Sequence, residues 1–256
     1  MDPTSSNKSS FARRRWIATI AFVVASANRP ALAQSTPTER VAATVDIGAQ
    51  LGSKAFSQTV TFEAFSEDGS LTTQYSMPAG PQTEGNFVVR LWRGLGVGVA
   101  GSFVSGSPAA QITGSIPHPL LVNQPREISG TKPTLHSETA VHLQAVYWMR
   151  PSDRVDVMVS AGPSIMRIQQ DFVTDVTYTQ SFPYDTATYQ DATVTRARET
   201  AVGANVGAEV DWRVSRHVGV AAVGRYSRAT ATFPDTGVPG ITVGGFHLGG
   251  GIRLLF

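Results

Sequence analysis

Cysteine is absent from this 256-residue chain, and charged residues are scarce. Without cysteine no disulfide framework can stabilise an exported fold, so the fold depends on other interactions. Asp, Glu, Lys and Arg make up 16% of the residues, against about 25% in a typical soluble domain. Together with 24 glycines, this composition fits a tightly curved sheet in lipid.

Long apolar runs are also missing. After residue 33 no segment reaches the 18 consecutive apolar residues that a transmembrane helix requires, so no helical span is predicted there. An exported chain can still enter a membrane if its strands form a closed ring, because closure pairs every backbone group inside the lipid.

The N-terminus has the pattern of a secretory signal. Lys8 and residues 13–15 supply positive charge, residues 16–27 are apolar, and Ala31 and Ala33 are small residues at the positions that a signal peptidase reads. Twelve apolar residues of helix would span roughly 18 Å, short of the ~30 Å hydrocarbon core, which argues against a membrane anchor.

We therefore expect a signal peptide over residues 1–33, cleaved between Ala33 and Gln34, and one barrel domain over residues 34–256. Cleavage would remove five Lys or Arg residues and one acid, and change the formal charge from +2 to −2. The basic balance of the full chain thus belongs to the signal and does not indicate nucleic-acid binding.

The last seventeen residues, 240–256, alternate between two environments. Phe246, Leu248, Ile252, Leu254 and Phe256 fall on one face, with glycines, His247 and Arg253 among the residues of the other. A period of two predicts a strand whose two faces contact different surroundings.

The same alternation predicts eight strands in all. They cover approximately residues 41–51, 86–93, 95–103, 136–149, 154–179, 200–215, 218–226 and 241–256. Long connections at 52–84, 105–134, 179–191 and 234–240 alternate with short turns near Gly94, Pro151 and Arg216. Pro163 interrupts the fifth strand and predicts a bulge or an early end of regular pairing there.

An even strand number, alternating loop lengths and an aromatic C-terminal residue resemble the outer membrane protein A-type family of eight-stranded β-barrels. The resemblance covers residues 41–256 and lies in the pattern, without a residue-specific motif. It implies an all-β, antiparallel, up-and-down transmembrane barrel in the bacterial outer membrane. It transfers no functional residue.

The register predicts which polar side chains face the lumen and which aromatic ones face lipid. Tyr147, Trp212 and Phe256 are predicted to form an interfacial girdle near the short turns, while Trp92 and Trp148 face inward. Charges of both signs should pair inside so narrow a barrel. The predicted lumen network is Asp46, Arg90, His142, Asp156, Glu209, Asp211, Arg225 and Arg253.

The sequence contains no convincing motif for catalysis, cofactor binding or metal binding. Residues 96–101 match GxGxxG, but a tight turn precedes them and period two runs through them, which excludes the dinucleotide-binding context. No nucleophile elbow or zinc motif occurs, and the five histidines lack ligand spacing. We predict no catalytic residue, metal or cofactor.

The expected function is a structural or surface-interaction role, with a polar plugged lumen and long outer loops that offer aromatic side chains to a partner. A narrow gated pore and, less favoured, a lipid-modifying barrel enzyme remain alternatives, and a soluble exported β-protein is the alternative fold. Expected partners are outer-membrane lipid and lipopolysaccharide, the barrel-assembly machinery through the C-terminal strand, and an extracellular partner through the loops.

Overall fold

The computed structural model describes residues 39–52, 54–77, 79–236 and 238–256. The predicted signal and its cleavage site at Ala33 and Gln34 lie outside this range. Twelve strands form within it: β1 (Val41–Leu51), β2 (Lys54–Ala64), β3 (Glu67–Met77), β4 (Gly80–Trp92), β5 (Leu95–Gly106), β6 (Ala109–Ile116), β7 (Arg126–Pro133), β8 (His136–Ser152), β9 (Val155–Gln180), β10 (Ala187–Arg213), β11 (Val218–Phe233) and β12 (Val238–Leu255).

Eight of these strands close into an antiparallel barrel with the order β1-β12-β11-β10-β9-β8-β5-β4. The first strand closes the ring, since Val45 pairs with Ile252 of β12 on one side and with Gly85 of β4 on the other. Strands adjacent in the chain are adjacent in the barrel, which confirms the predicted all-β, up-and-down architecture. Alternating apolar and small or polar residues allow such closure, because each strand presents one face to the lumen and the other to the outside of the barrel.

The short turns lie at one end of the barrel, which we call the turn end. Arg93 and Gly94 have φ values of 44° and 92°, as both central residues of a type I′ hairpin turn require. The opposite end, where the long connections lie, is the cap end.

The first two long connections are not loops, and that prediction is wrong. Residues 52–84 contain the hairpin β2–β3, residues 105–134 contain β6–β7, and the four strands form a second sheet, β2-β3-β6-β7, which we call the cap sheet. Few apolar residues mark β3, although Leu71, Tyr75 and Met77 fall on its buried face.

The third long connection is shorter than predicted. Strands β9 and β10 continue past the barrel as a two-stranded extension that turns only at residues 181–186, so β10 begins at Ala187 and not near Thr200. Their pairing shifts register between Tyr189 and Asp191 and again between Thr193 and Val194. Such irregularities increase twist and bend the extension, which packs against β7 and the cap sheet.

Pro163 neither ends β9 nor causes a bulge. His142–Ser164 and Ala145–Ala161 keep one register, while pairing to β8 is missing at Leu143 and Gln144. Since proline has no N–H, the ladder loses bonds at this point without shifting.

Three apolar clusters divide the interior. At the turn end Ala42, Val88, Val146, Trp148, Met158 and Leu255 pack inside the barrel. At the cap end a larger cluster joins Tyr75 and Met77 of β3 to the inward faces of β8–β12, including Phe172 and Phe233. A third cluster joins the cap sheet to the β9–β10 extension. The cap sheet is therefore packed onto the barrel, and the polar lumen lies between two apolar layers.

Candidate functional site

An apolar belt surrounds the barrel. Outward side chains of the barrel strands are large, hydrophobic and exposed, as Ile47 at 68%, Val202 at 74% and Ile252 at 60% illustrate. A belt this extensive would be unfavourable in water, where exposed apolar patches normally cover a few hundred Å². It fits a hydrocarbon environment, in which outward apolar and inward polar residues alternate along each strand.

The belt has the height of a membrane. On β9 its rungs run from Val155 to Ile165, opposite Trp212 and Val202 of β10. The segment from Val155 to Ile165 extends over roughly 33 Å along the strand. Because such strands are tilted by about 40°, this length crosses about 25 Å of membrane. This is the fold of the eight-stranded outer-membrane β-barrels.

Solved outer-membrane barrels are similar to the chain in this fold. Neisserial surface protein A has a TM-score of 0.42 and 12% identity, covering 84% of this chain and 97% of its own. OprG from Pseudomonas aeruginosa has a TM-score of 0.44 and 11% identity, covering 85% and 97%. Ail of Yersinia pestis, the attachment invasion locus protein, has a TM-score of 0.35 and 14% identity, covering 84% and 99%.

No protein-family model matches the sequence, and none of the curated proteins matches it. The structural similarities concern the fold alone. Within the described part of the chain, no helix is both long and apolar enough to cross a membrane.

The predicted girdle residues lie on the outer surface near the turn end. Tyr147, Trp212 and Phe256 are exposed by 45%, 56% and 63%. Trp92, predicted to face inward, is 63% exposed, so that prediction is wrong. The β4–β5 pairing shifts register between Arg90 and Trp92, and the alternation of faces is lost there.

Trp148 is buried in the lumen between two arginines. The guanidinium carbons of Arg90 and Arg253 lie 4.0 Å and 4.4 Å from its ring centroid. A guanidinium over an indole face makes a favourable cation–π contact. Arg253 also forms ion pairs with Asp211 and, at 3.3 Å, with Glu209. The turn end of the lumen is thereby filled by stacked and paired side chains.

Asp156 lies in a second group at the same end. It accepts bonds from Arg150 Nε at 2.9 Å and Arg213 Nε at 2.8 Å. The carboxylate of Glu39, just before β1, accepts hydrogen bonds from the Nη atoms of the same two arginines. Two carboxylates and two guanidiniums therefore balance in charge across the barrel mouth.

Arg225 is central to the middle of the lumen. Its Nη2 lies 2.6 Å from Glu84 Oε1, and its Nη1 donates to Asn205 Oδ1 at 3.1 Å. Glu209 accepts from Thr44 at 2.6 Å and from Asn86 at 3.2 Å. Bonds of this kind span the barrel, so the polar residues brace opposite walls.

Asp46 and His142 complete the predicted set. Asp46 Oδ1 lies 2.7 Å from His247 Nε2. The His142 ring lies between the hydroxyls of Ser102 and Ser164, at 3.2 Å and 2.8 Å. These side chains lie in the lumen, and the bonds they form offset part of the cost of burying charged and polar groups.

Sequence reasoning missed several lumen residues. Glu84 lies in the connection predicted over residues 52–84, Asn86 begins the predicted strand, and His247 lies on the polar side of the C-terminal alternation; all three are buried. Extending the two-residue period of β4 from Asn86 towards the N-terminus places Glu84 on the inward face. The ion pairs themselves depend on which strands meet across the barrel, which the period does not reveal.

Side chains leave little space in the lumen. The cavity beside Asn86, Gln144, Glu209 and Arg225 has a volume of about 10 Å³, enough for about one water molecule. Across the described residues, no group of three His, Cys, Asp or Glu side chains could hold a metal ion.

Glu138 joins the cap to the barrel. It accepts bonds from Lys54 Nζ at 3.0 Å, His136 Nε2 at 3.0 Å and the Gly244 amide at 2.9 Å. On the outward face of β8, Thr139 beside Glu138 is polar, and the first apolar residue of this strand is Val141. Burial opposes ionisation, but the bonds from His136 and Lys54 outweigh it and lower the pKa of Glu138 to about 2.

The outermost turns of the cap are tied together at one tip. Arg126 donates to Gln180 Oε1 at 2.6 Å and to the carbonyls of Pro117 and Tyr184. The Asn123 amide donates to Glu67 at 2.7 Å. These bonds hold the β2–β3, β6–β7 and β9–β10 turns side by side, and we call this surface the tip.

Proposed function

We propose that the protein is a surface-interaction protein of the outer membrane, and that its tip is the interaction surface. The observation that carries the proposal is a group of exposed apolar side chains on the three joined turns. Leu120, Val122 and Phe182 are 63%, 74% and 78% exposed, with Phe65 and Leu121 beside them at 49% and 43%. Grouped apolar exposure on a water-facing surface is characteristic of binding sites.

The tip is built to remain in place without a partner. Arg126 is buried and bonds to Pro117 of its own connection and to Gln180 and Tyr184 at the β9–β10 turn. Phe182 packs edge-on against Tyr184, with ring centroids 6.0 Å apart. A surface held in one shape loses little conformational entropy on binding. This distinguishes it from long flexible loops, whose ordering would oppose association.

Acidic residues border the tip. Asp68, Glu127 and Asp185 are exposed there, while Arg126, the cation of these turns, is buried beneath. A partner with apolar side chains and a positively charged border would complement this surface. Through the rest of its surface, we propose contact with outer-membrane lipid and lipopolysaccharide, and with the barrel-assembly machinery through β12.

A peptide array tests the proposal. Protein inserted in lipid nanodiscs is passed over immobilised peptides that vary in charge and hydropathy. We expect binding to a subset of peptides, and loss of that binding in Val122→Ser/Phe182→Ser. Val214→Ser is the matched control, because Val214 is 70% exposed at the turn end. Absence of binding, or equal loss in the control, would contradict the proposal.

A conductance measurement distinguishes the pore alternative. The filled lumen supports a non-conducting barrel, so purified protein in a planar bilayer should give no steady current. A reproducible single-channel conductance would favour the pore instead. Unchanged lipid A and phospholipid after overexpression would exclude the lipid-enzyme alternative.

A further inference from the structure

The outer wall of β9 and β10 changes abruptly in character above the belt. Successive outward rungs are Pro163–Ala204, Ile165–Val202, Arg167–Thr200 and Gln169–Arg198. The last apolar rung is thus followed directly by two rungs that each contain an arginine. Both arginines are exposed.

Arg167 and Arg198 lie close enough to act together. They occupy diagonal positions of neighbouring rungs, for which Cβ atoms lie roughly 7–8 Å apart. Two like charges at this spacing repel each other unless an anion lies between them. Such repulsion is unexpected on a wall where most outward residues are uncharged.

Nearby acids do not neutralise these two arginines. Asp171, on the next rung, is bonded by Arg196 at 2.8 Å and by the Leu135 amide at 3.1 Å. Glu199 pairs with buried Ile168 and so belongs to the lumen side. Over the described residues, neither Arg167 nor Arg198 has a carboxylate within ion-pair distance.

We propose that Arg167 and Arg198 form a binding site for a phosphate group of a membrane lipid, an inference that rests on the lipid contact proposed above. A guanidinium binds phosphate through two parallel N–H bonds, and two guanidiniums can enclose a single phosphate. Gln169 and Thr200 complete the two rungs and supply further donors.

The position of the site indicates which lipid. In this class of barrel the short turns face the periplasm, so the cap end faces outward and the site lies at the headgroup level of the outer leaflet. The apolar belt continues directly below, at Ile165 and Val202. The ligand is therefore an amphiphile with acyl chains along the belt and a phosphate group above them.

Native mass spectrometry of protein in detergent micelles tests the site, with diphosphoryl lipid A as the probe. We expect R167Q/R198Q to reduce the bound fraction roughly tenfold, since each arginine supplies charge-assisted bonds. R154Q/R216Q removes the same charge from exposed turn-end residues and should bind like the wild type. Heat-dependent gel mobility checks that each variant is folded.

Other ligands distinguish the source of the phosphate. Lipid A stripped of its phosphates should bind as weakly to the wild type as diphosphoryl lipid A does to R167Q/R198Q. Equal binding of the two lipids, or equal loss in both double variants, would overturn the site. Displacement of lipid A by millimolar inorganic phosphate would assign it to a soluble anion and overturn the lipid assignment.

Discussion

At the scale of single residues, the lumen shows how a narrow barrel accommodates charge. Arg225 and Glu84 have side chains that are 3% and 0% exposed. Burying two ions costs several kcal/mol, which their attraction offsets only while both partners are present. The pair therefore adds little to net stability, although the loss of either partner alone would leave a buried charge uncompensated.

Removing one partner of this pair should lower the free energy of unfolding more than removing both. We expect Arg225→Met to lower the free energy of unfolding by about 3–5 kcal/mol, because Glu84 is left as an uncompensated buried charge. Glu84→Gln/Arg225→Met should recover at least half of that loss. Urea unfolding in lipid vesicles measures both, and additive losses would contradict a coupled pair.

Tyr75 is one of the residues through which the cap sheet contacts β9. Its hydroxyl donates to Gln58 at 2.9 Å and accepts the Val173 amide at 2.7 Å. Burial raises its pKa to about 12, so it remains a neutral donor at all physiological pH values. Its ring stacks on Phe56, with centroids 4.7 Å apart.

Tyr75→Phe should destabilise the cap by about 1–3 kcal/mol, since the Val173 amide loses its acceptor in a buried site. Faster hydrogen exchange at Val173 and a lower free energy of unfolding are the expected results. Tyr189→Phe provides the comparison, because the Tyr189 hydroxyl makes a 3.4 Å bond at an exposed position. Its effect should stay within about 0.5 kcal/mol.

At the scale of elements, the cap sheet is attached to the barrel through Glu138. Lys54 begins β2, Glu138 belongs to β8 and Gly244 to β12, so one carboxylate links cap and wall. The pKa of this carboxyl falls from 4.5 to about 2 on folding. A lowered pKa gives stability that is present above the unfolded pKa and is lost as pH falls towards the folded one.

Acid should therefore weaken the cap between pH 4.5 and 2. Over this window we expect the wild type to lose about 3 kcal/mol more than Glu138→Gln, which has no proton to bind there. Urea unfolding at several pH values measures the difference. Asp153→Asn, in an exposed turn, should keep the wild-type slope; an equal slope in Glu138→Gln would refute the assignment.

At the scale of the whole molecule, ring closure and a filled lumen act together. In the part of the chain that the structure describes, the barrel has no free edge strand, because β1 bonds to both β12 and β4. Apolar clusters at both ends and the cross-lumen ion pairs oppose collapse or opening of the ring. A barrel of this kind opens only if many interactions break at once.

Folded protein should therefore resist SDS until it is heated. We expect faster gel migration without boiling than after boiling, together with strand-type circular dichroism in detergent. The physical reason is cooperative closure, since a single broken strand pair does not unfold the ring. A protein that dissolves without detergent and shows no mobility shift would contradict the membrane barrel.

Strands with a clear two-residue alternation could be predicted from the sequence, whereas elements without a repeating pattern could not. The alternation along residues 200–214 predicted a strand, and that strand is present within β10. The β2–β3 hairpin turns at Phe65 and Ser66, which have φ values of 54° and 63°. This turn lacks the Asn-Gly or Asp-Gly pair that usually marks such geometry, so it was not recognised.

The amino-acid sequence by itself determined that eight strands form the barrel, most of their inward and outward positions, and the alternation of short and long connections, because the two-residue period is a local property. Only the tertiary structure decided the partners of the lumen charges, the cap sheet and the tip. Glu84 meets Arg225, and Asn123 meets Glu67, across long separations in the chain. Such contacts depend on ring closure and strand register, which no local pattern encodes.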